Sequence, residues 1–301
     1  MNAVTPDLGG VTAVLVTAYR EETDRVDPGT ITEIAARVAG AGMPVLTALG
    51  NTAEVQQLER SERHAVLRAV SEVKDAAALI AGVAGSVREM LHDAETAAQL
   101  GYHAVMVHEP SDPFGDAAGH VALYHQIAER SPLPVVLYLR SHRLDATHIA
   151  EAVSPSRIIA VKYARTDLHT LTAAMGSTEA GACTWVNGLA ESQVPAFAGV
   201  GVTHFTSGIA NARPDIALAI HAAVTSGDLR RLTQLLADYA RPVEAVRADG
   251  GGRYNVSAIK QLLRWQGIEA GGVRPPHSPL SDGARAELDA VREYGLQSAV
   301  A

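Results

Sequence analysis

The stretch RIIAVKYARTD, residues 157–167, combines the pattern of a buried strand with a lysine near its end. Five of the six residues from Ile158 to Tyr163 are apolar or aromatic, which is typical of a parallel strand covered by helices on both faces. Lys162 stands where this strand leaves the core. A lysine there either reaches water through its flexible side chain or has a lowered pKa, and this stretch alone favours the first arrangement.

Similar strand-like runs recur along the chain and alternate with longer, Ala-rich amphipathic segments. There are eight runs, near residues 10–17, 44–50, 78–83, 103–108, 134–139, 158–162, 182–188 and 202–208. This rhythm predicts a closed (β/α)8 TIM barrel. A doubly wound open sheet usually has fewer strands and a Gly-rich phosphate turn after its first strand, and no G-x-G-x-x-G follows the first run. We expect the barrel over residues 1–226 and a C-terminal helical extension over residues 227–301 that packs on it.

The composition narrows the classes of partner. The 301 residues are 47% hydrophobic and 19% charged, with a formal net charge of -8, so the basic surface that binds nucleic acid is missing. The apolar runs are strand-sized, which predicts no membrane span, and the N-terminus lacks a signal-peptide pattern. Because the single cysteine, Cys183, cannot form an intrachain disulfide, we expect a cytoplasmic protein. The twelve histidines show no spacing of metal ligands, so no metal is expected.

In a barrel of this kind the chemistry lies at the carboxyl ends of the strands. The polar residues and the glycine expected there are Asn51 and Thr52 after the second strand, Tyr138, Arg140 and Arg143 after the fifth, Lys162 at the sixth, Gly188 at the seventh, and Thr206 and Ser207 at the eighth. We expect them to converge at one rim and to form a substrate site.

This set suits imine chemistry on a 2-oxo acid. A desolvated lysine has a neutral amine that can attack the ketone, and the Schiff base then accepts electrons when a neighbouring bond breaks or a proton leaves. Tyr138 is placed to relay protons. The turn at Asn51 and Thr52 precedes a helix and can bind the substrate carboxylate through N–H groups and short side chains.

Four motifs resemble the dihydrodipicolinate synthase/N-acetylneuraminate lyase family of class I aldolases, over nearly the whole chain. GNTAE at Gly50–Glu54 resembles the family motif G-T-T-G-E, Tyr138 matches its strand-five tyrosine, Lys162 matches its Schiff-base lysine, and residues 201–214 resemble its G…N..P segment. Each motif is weak by itself. Their order and strand positions together favour catalysis by Lys162 over a solvent-reaching lysine.

The chain departs from the synthases of this family near its fifth strand. Their Y-N-x-P motif is replaced by YLRS at residues 138–141, and Ser111 and Asp112 stand where a second tyrosine would lie. Arg143, five residues after Tyr138, is similar to the synthase arginine near the carboxylate of the second substrate. A guanidinium can bind a carboxylate with two parallel hydrogen bonds.

Other segments are similar to the 5-dehydro-4-deoxyglucarate dehydratases, which decarboxylate and dehydrate a sugar diacid to 2,5-dioxopentanoate. They are YLR at 138–140, NGLAES at 187–192, GIANARPD at 208–215, YNVSAIKQLL at 254–263 and GGVRPPHSPL at 271–280. The resemblance implies a Schiff-base lyase that needs no metal or organic cofactor, in which Arg140 or Arg143 reaches the distal end of a small-molecule 2-oxo acid. It also implies a homotetramer or homodimer.

Several alternatives stay open. Asn51 and Ala53 depart from the G-T-G-E core of the dehydratases, so a pyruvate-dependent aldolase or dihydrodipicolinate synthase-like condensation, or a barrel that binds keto acids without turnover, is also consistent with the sequence. Glu54 is expected to have a structural role at a helix start, and Asn211 to cap a helix. Gly188 and Gly208, at strand ends, either let the backbone approach a ligand or only ease a turn.

Overall fold

The computed structural model of the chain describes residues 8–179 and 181–292. Eight parallel strands follow one another in chain order, and the barrel closes because the last strand pairs with the first. The strands are β1 (Val11–Val14), β2 (Val45–Ala48), β3 (Ala78–Val83), β4 (Ala104–His108), β5 (Val135–Leu139), β6 (Ile158–Tyr163), β7 (Thr184–Asn187) and β8 (Phe205–Ser207). The predicted TIM barrel is confirmed, with a strand at every predicted position.

Helices connect the strands and surround the barrel. They are α1 (Pro28–Gly40), α2 (Arg60–Ser71), α3 (Val87–Gln99), α4 (Ala117–Arg130), α5 (Ala146–Ala152), α6 (Leu168–Ser177), α7 (Val194–Ala198) and α8 (Pro214–Ser226). Their starts are fixed locally, since Asp27, Ser86 and Asp116 accept hydrogen bonds from N–H groups in the first turns of α1, α3 and α4.

The predicted C-terminal helical extension is present. It contains α9 (Leu229–Leu235), a π-helical segment (Leu236–Ala240), α10 (Arg241–Gly252), α11 (Ser257–Trp265) and α12 (Asp282–Asp289). The regular geometry of α10 is broken at residues 249–251. Residues 1–7 of the expected barrel region and residues 293–301 of the expected extension lie outside the described residues. Within the described ranges, no helix has the length and apolar character needed to cross a bilayer.

The two-residue period of the strands decides which side chains enter the barrel. On β6, Val161 and Tyr163 pack outward against the helices, whereas Ala160 packs inside the barrel with Tyr138 of β5. Lys162 shares the inward face of Ala160, because alternate residues of a strand point to the same side. The lysine therefore points into the mouth of the barrel.

Asn211 does not cap a helix, so that prediction is wrong. Its side-chain oxygen accepts a hydrogen bond from Val16 N at 3.0 Å, and its amide nitrogen donates to Val14 O and Gly208 O, each at 2.8 Å. Helix α8 begins later, after Arg213. Asn211 instead ties the segment after β8 to the end of β1, which closes the barrel where the backbone ladder has ended.

Candidate active site

An open cavity of about 600 Å³ lies at the carboxyl ends of the strands. Seven of the nine predicted site residues line it: Asn51, Thr52, Tyr138, Arg140, Lys162, Gly188 and Thr206. The other two, Arg143 and Ser207, are not among the lining residues. The cavity also receives residues from the C-terminal extension, among them Glu244, Arg247 and Asn255.

Lys162 lies at the base of this cavity and is only 6% exposed. Burial removes water from its ammonium group, and the positive charges of Arg140 and Arg247 add to this effect, so the pKa of Lys162 falls to about 7. No acidic side chain of the described residues forms an ion pair with it. A substantial fraction of this amine is therefore neutral near pH 7 and able to act as a nucleophile.

Tyr138 is the strand partner of Lys162, and the lysine nitrogen lies 4.2 Å from the centroid of the tyrosine ring. Asn51 Nδ2 donates a 3.1 Å hydrogen bond to the phenol oxygen. Burial raises the pKa of Tyr138, so the phenol keeps its proton. The phenol oxygen of Tyr138 accepts the hydrogen bond from Asn51, so the phenol O–H can donate its own hydrogen to a different acceptor.

His108 supports the tyrosine ring and was not predicted as a site residue. It pairs with Tyr138 across β4 and β5, and the two rings meet edge to face with centroids 5.5 Å apart. Its Nε2 lies 2.9 Å from Leu49 O. Burial is the main cause that lowers the pKa of His108 to about 4, so the ring is neutral at pH 7 and donates to that carbonyl. The sequence signal for this role was its place at the carboxyl end of β4.

Asn51 and Thr52 begin a short 3-10 turn directly after β2. Ala53 N donates to Gly50 O and Glu54 N donates to Asn51 O, both at 3.0 Å. The first N–H groups of such a turn have no partner within it, and here they belong to Asn51 and Thr52. The turn therefore offers N–H donors and a threonine hydroxyl beside the cavity, as the predicted carboxylate site requires.

Glu54 ends this turn, precedes a second 3-10 helix (Val55–Gln57) and is buried, and its carboxylate has partners in the C-terminal extension. Lys260 Nζ donates to Glu54 Oε1 at 3.1 Å, and Arg274 N donates to Glu54 Oε2 at 2.8 Å. Lys260 also donates to Gly272 O. The expected structural role of Glu54 thus takes the form of an ion pair that joins the turn to the C-terminal extension.

The two predicted arginines differ in position. Arg140 is exposed and lines the cavity, and its backbone is fixed because Arg140 N and Ser141 N donate to Glu109 Oε2 at 2.8 and 2.7 Å. Arg143 is half-buried, and its guanidinium donates to Gly115 O in the loop before α4. The structure brings Arg140 to the site and leaves Arg143 beside it.

Gly188 packs against the stem of the lysine. A Cβ atom at this position would lie 2.9 Å from Lys162 Cγ and 3.1 Å from Tyr163 O, so any side chain there would push on the strand that carries the nucleophile. Thr206 lines the cavity and donates a 3.3 Å hydrogen bond to Asn187 O. The close contact at Gly188 is made by the stem of Lys162, and an approach of a ligand to this glycine stays a prediction.

Ser207 is fully buried behind the cavity wall. Its hydroxyl donates to Glu191 Oε1 and accepts a 3.0 Å hydrogen bond from Ala210 N. Burial, together with the nearby charge of Glu244, raises the pKa of Glu191. Sequence reasoning missed Glu191, because a glutamate at the start of a short 3-10 helix carries no sign in the sequence that it will be buried.

Comparisons with known proteins agree with this architecture. The model of the dihydrodipicolinate synthetase family matches residues 7–293. A protein of Streptomyces avermitilis named "Probable 5-dehydro-4-deoxyglucarate dehydratase 1" is 28% identical over 93% of this chain and 92% of its own length. A protein of Streptomyces griseus with the name "Probable 5-dehydro-4-deoxyglucarate dehydratase" is 31% identical over 78% of this chain and 76% of its own length. The crystal structure of dihydrodipicolinate synthase from Oceanobacillus iheyensis superposes with a TM-score of 0.91 at 27% identity and covers 96% of this chain and 97% of that one.

Proposed function

The chain belongs to the dihydrodipicolinate synthetase family, and from this premise we propose that it is a Schiff-base-forming lyase that acts on a 2-oxo acid. The observation that carries the proposal is the amine of Lys162, which is buried, has a lowered pKa and lies 4.2 Å from the centroid of the Tyr138 ring. A lysine with only a structural role would be expected to reach water or to pair with an acid.

The first step forms the imine. The neutral amine of Lys162 adds to the ketone carbon, and the carbinolamine then loses its hydroxyl as water while C=N replaces C=O. This exchange needs a group that gives and takes protons beside the nitrogen. The protonated phenol of Tyr138 has the position and, through Asn51, the orientation for that task. The carboxylate next to the ketone binds at the turn of Asn51 and Thr52.

Within this class we favour the decarboxylating dehydration of a 5-dehydro-4-deoxyglucarate-like diacid. Removal of a proton beside the imine carbon gives an enamine, whose electrons expel the hydroxyl of the next carbon, so that proton and hydroxide leave together as water. The conjugated imine then accepts the electron pair of the C–C bond that releases CO2. Reprotonation and hydrolysis return the amine and release 2,5-dioxopentanoate. The names of the curated Streptomyces relatives and the segments at residues 254–263 and 271–280 support this branch.

A pyruvate-dependent condensation is the second candidate, because the Oceanobacillus iheyensis structure with a TM-score of 0.91 is named dihydrodipicolinate synthase. The lining of the cavity is less suited to it. Tyr138 is the one tyrosine among the described lining residues, and Asp112, where the synthases carry a second tyrosine, instead accepts a 2.7 Å hydrogen bond from Phe114 N. A barrel that binds keto acids without turnover is the outcome if imine forms and no product follows.

The test is reductive trapping followed by product analysis. The chain contains three lysines, Lys74, Lys162 and Lys260, so borohydride with pyruvate or 5-dehydro-4-deoxyglucarate should add one keto-acid unit, which peptide mapping should place on Lys162. Lys260 is the internal control, since it is also buried but is paired with Glu54. An adduct on Lys162 with release of CO2 and 2,5-dioxopentanoate supports the dehydratase. An unmodified Lys162 across both acids would remove the Schiff-base proposal.

The same proposal covers the domain boundaries, the oligomeric state and the cellular location. We propose that the barrel comprises residues 1–226 and the extension residues 227–301, that the enzyme is a homotetramer or homodimer as the family resemblance implies, and that it acts in the cytoplasm, where a chain with a single cysteine needs no disulfide. Light scattering of the purified full chain measures the oligomeric state directly.

A further inference from the structure

Arg247 is a buried cation in the cavity wall. It lies on α10, is 8% exposed and lines the cavity that contains Lys162. Within residues 8–179 and 181–292, no carboxylate forms an ion pair with its guanidinium. A buried, unpaired guanidinium is costly, and an anionic ligand that enters the cavity would remove much of that cost.

The guanidinium is held in one orientation by Asn255. Arg247 Nε donates to Asn255 O at 3.3 Å and Nη2 donates to Asn255 Oδ1 at 2.7 Å. Both acceptors come from one residue beyond the break in α10, which also lines the cavity. These bonds leave Nη1 without a partner among the described residues. Arg247 is therefore fixed in place with donor capacity to spare, which suits binding of a ligand.

Gly208, directly after β8, makes room for this arrangement. A Cβ atom there would lie 2.8 Å from Arg247 Nη2 and 3.0 Å from both Cζ and Nη1, so the guanidinium lies against the glycine backbone. This contact brings the charge of α10 to the strand ends where Lys162 lies. The electrostatic influence is direct, since Arg247 is one of the charges that lower the pKa of Lys162.

The two acids near Arg247 are hydrogen-bonded to other residues. Glu244 precedes it by one helical turn, but its Oε1 accepts a 2.9 Å hydrogen bond from Ser192 N. Glu191 is buried with its Oε1 bonded to Ser207, and burial together with the charge of Glu244 raises its pKa. Neither carboxylate forms an ion pair with Arg247 among the described residues, so the remaining donors of its guanidinium are available to a ligand.

We propose that Arg247, oriented by Asn255, binds the carboxylate at the far end of a 2-oxo diacid and makes the site selective for diacids over monoacids. This inference rests on the proposed function. Of the two arginines expected at the distal end, Arg143 is bonded to Gly115 O outside the cavity and Arg140 is exposed, so the buried Arg247 takes their place as the group that binds the distal carboxylate. A guanidinium that faces a carboxylate can form two charge-assisted hydrogen bonds, which a neutral substituent cannot replace.

The probes are 2-oxoadipate, a six-carbon keto diacid with no hydroxyl to expel, and 2-oxohexanoate, a monoacid of the same chain length. Borohydride trapping on Lys162 gives the half-saturating concentration of each in the full-length protein. We expect 2-oxoadipate to half-saturate the wild type at a concentration at least about tenfold lower, as a charge-assisted pair would provide. Arg247→Met should abolish most of this preference. Because loss of this charge also raises the pKa of Lys162, the preference is measured as the ratio of the two half-saturating concentrations in the same variant at the same pH, and trapping of 2-oxohexanoate shows that the variant folds.

Three further variants complete the test. Arg241→Met removes an exposed arginine from the same helix and should keep the wild-type preference. Arg247→Lys keeps the positive charge but lacks the planar guanidinium that can form two parallel hydrogen bonds, so it should retain part of the diacid preference. It also serves as the test variant if Arg247→Met does not fold. A diacid preference that survives in Arg247→Met, or that is lost in Arg143→Met instead, would overturn the inference while the lysine chemistry stands. Absence of trapping with either acid in the wild type would overturn the proposed function and the inference with it.

Discussion

Lys260 of α11 donates a 3.1 Å hydrogen bond to Glu54, which ends the turn that carries Asn51 and Thr52. Both side chains are almost fully buried, and 206 residues of sequence separate them. The C-terminal extension therefore fixes one wall of the cavity through Lys260 and contributes another through Arg247. The barrel and the helices that follow it form a single site.

Loss of Lys260 should weaken both the fold and substrate binding. Lys260→Met leaves the carboxylate of Glu54 buried without its cation, and breaking a buried pair in this way costs about 3–5 kcal/mol in the free energy of unfolding. Urea denaturation measures that loss, and the KM of the 2-oxo acid should rise because the turn is no longer held. The exposed pair of Arg264 and Glu269 is the control, since Arg264→Met should change stability by less than about 1 kcal/mol. Equal losses in the two variants would show that the buried pair has no special role.

Much of the fold and part of the site follow from the sequence, because both depend on local periodicity. The strand pattern predicts eight strands, and the rule that chemistry lies at their carboxyl ends leads to Lys162, Tyr138 and the turn at Asn51. The period of two also explains why Lys162 points inward, although residues 157–167 alone favoured an exposed lysine. The direction in which a strand side chain points can be predicted from the sequence, because it depends only on the alternation of residues along that strand.

The remaining site residues depend on contacts between distant parts of the chain. Arg247 lies on a helix whose sequence pattern resembles that of any surface helix, and it reaches the cavity only because Gly208 gives it room and α10 breaks before Asn255. The sequence around Asn211 predicts a helix cap, yet two of its three hydrogen-bond partners, Val16 N and Val14 O, lie at the end of β1, 195 and 197 residues away. Such pairings leave no periodic signal.

The rate of imine formation should follow the ionisation of Lys162. Its pKa of about 7 means that the neutral amine, and hence the rate constant for borohydride-trapped adduct formation, rises with pH and is half-maximal near pH 7. An ordinary lysine would give a midpoint near pH 10.5. Arg140→Met removes one of the charges that lower this pKa, so its midpoint should lie at higher pH. A wild-type rate that still climbs steeply above pH 9 would contradict a desolvated nucleophile.

The same lowered pKa predicts how Lys162 affects stability. The unfolded chain binds a proton on this lysine up to about pH 10.5, whereas the folded chain releases it near pH 7, so the lysine destabilises the fold below pH 10.5 and most strongly at or below pH 7. Lys162→Met should therefore raise the midpoint of urea unfolding at pH 6–7, and the gain should shrink as the pH approaches 10. Denaturation curves across this range measure it. A gain that is independent of pH would point to better packing of Met instead of a lost charge.

Gly188 should tolerate no side chain. In Gly188→Ala the new methyl group would lie 2.9 Å from Lys162 Cγ and 3.1 Å from Tyr163 O, so the lysine stem must shift. A displacement of a catalytic group by about 1 Å can lower kcat by about 10²-fold, and the strain should cost about 1–3 kcal/mol of stability. Gly176→Ala, in α6 with open space around its Cα, is the matched control and should keep wild-type activity. Normal turnover in Gly188→Ala would mean that the close approach has no functional importance.

Tyr138→Phe should separate imine formation from turnover. The phenylalanine ring can keep its edge contact with His108 and stay beside Lys162, so pyruvate should still be trapped on the lysine by borohydride, although the phenol that relays protons is gone. We expect kcat to fall by about 10²-fold or more, the usual scale for a lost proton-transfer group. Tyr102→Phe is the control, since Tyr102 is an equally buried tyrosine whose hydroxyl donates to Leu67 O away from the cavity. It should lose about 1 kcal/mol of stability and keep its kcat. If both variants turn over at the wild-type rate, the protons travel by another route and Tyr138 only shapes the pocket around the amine.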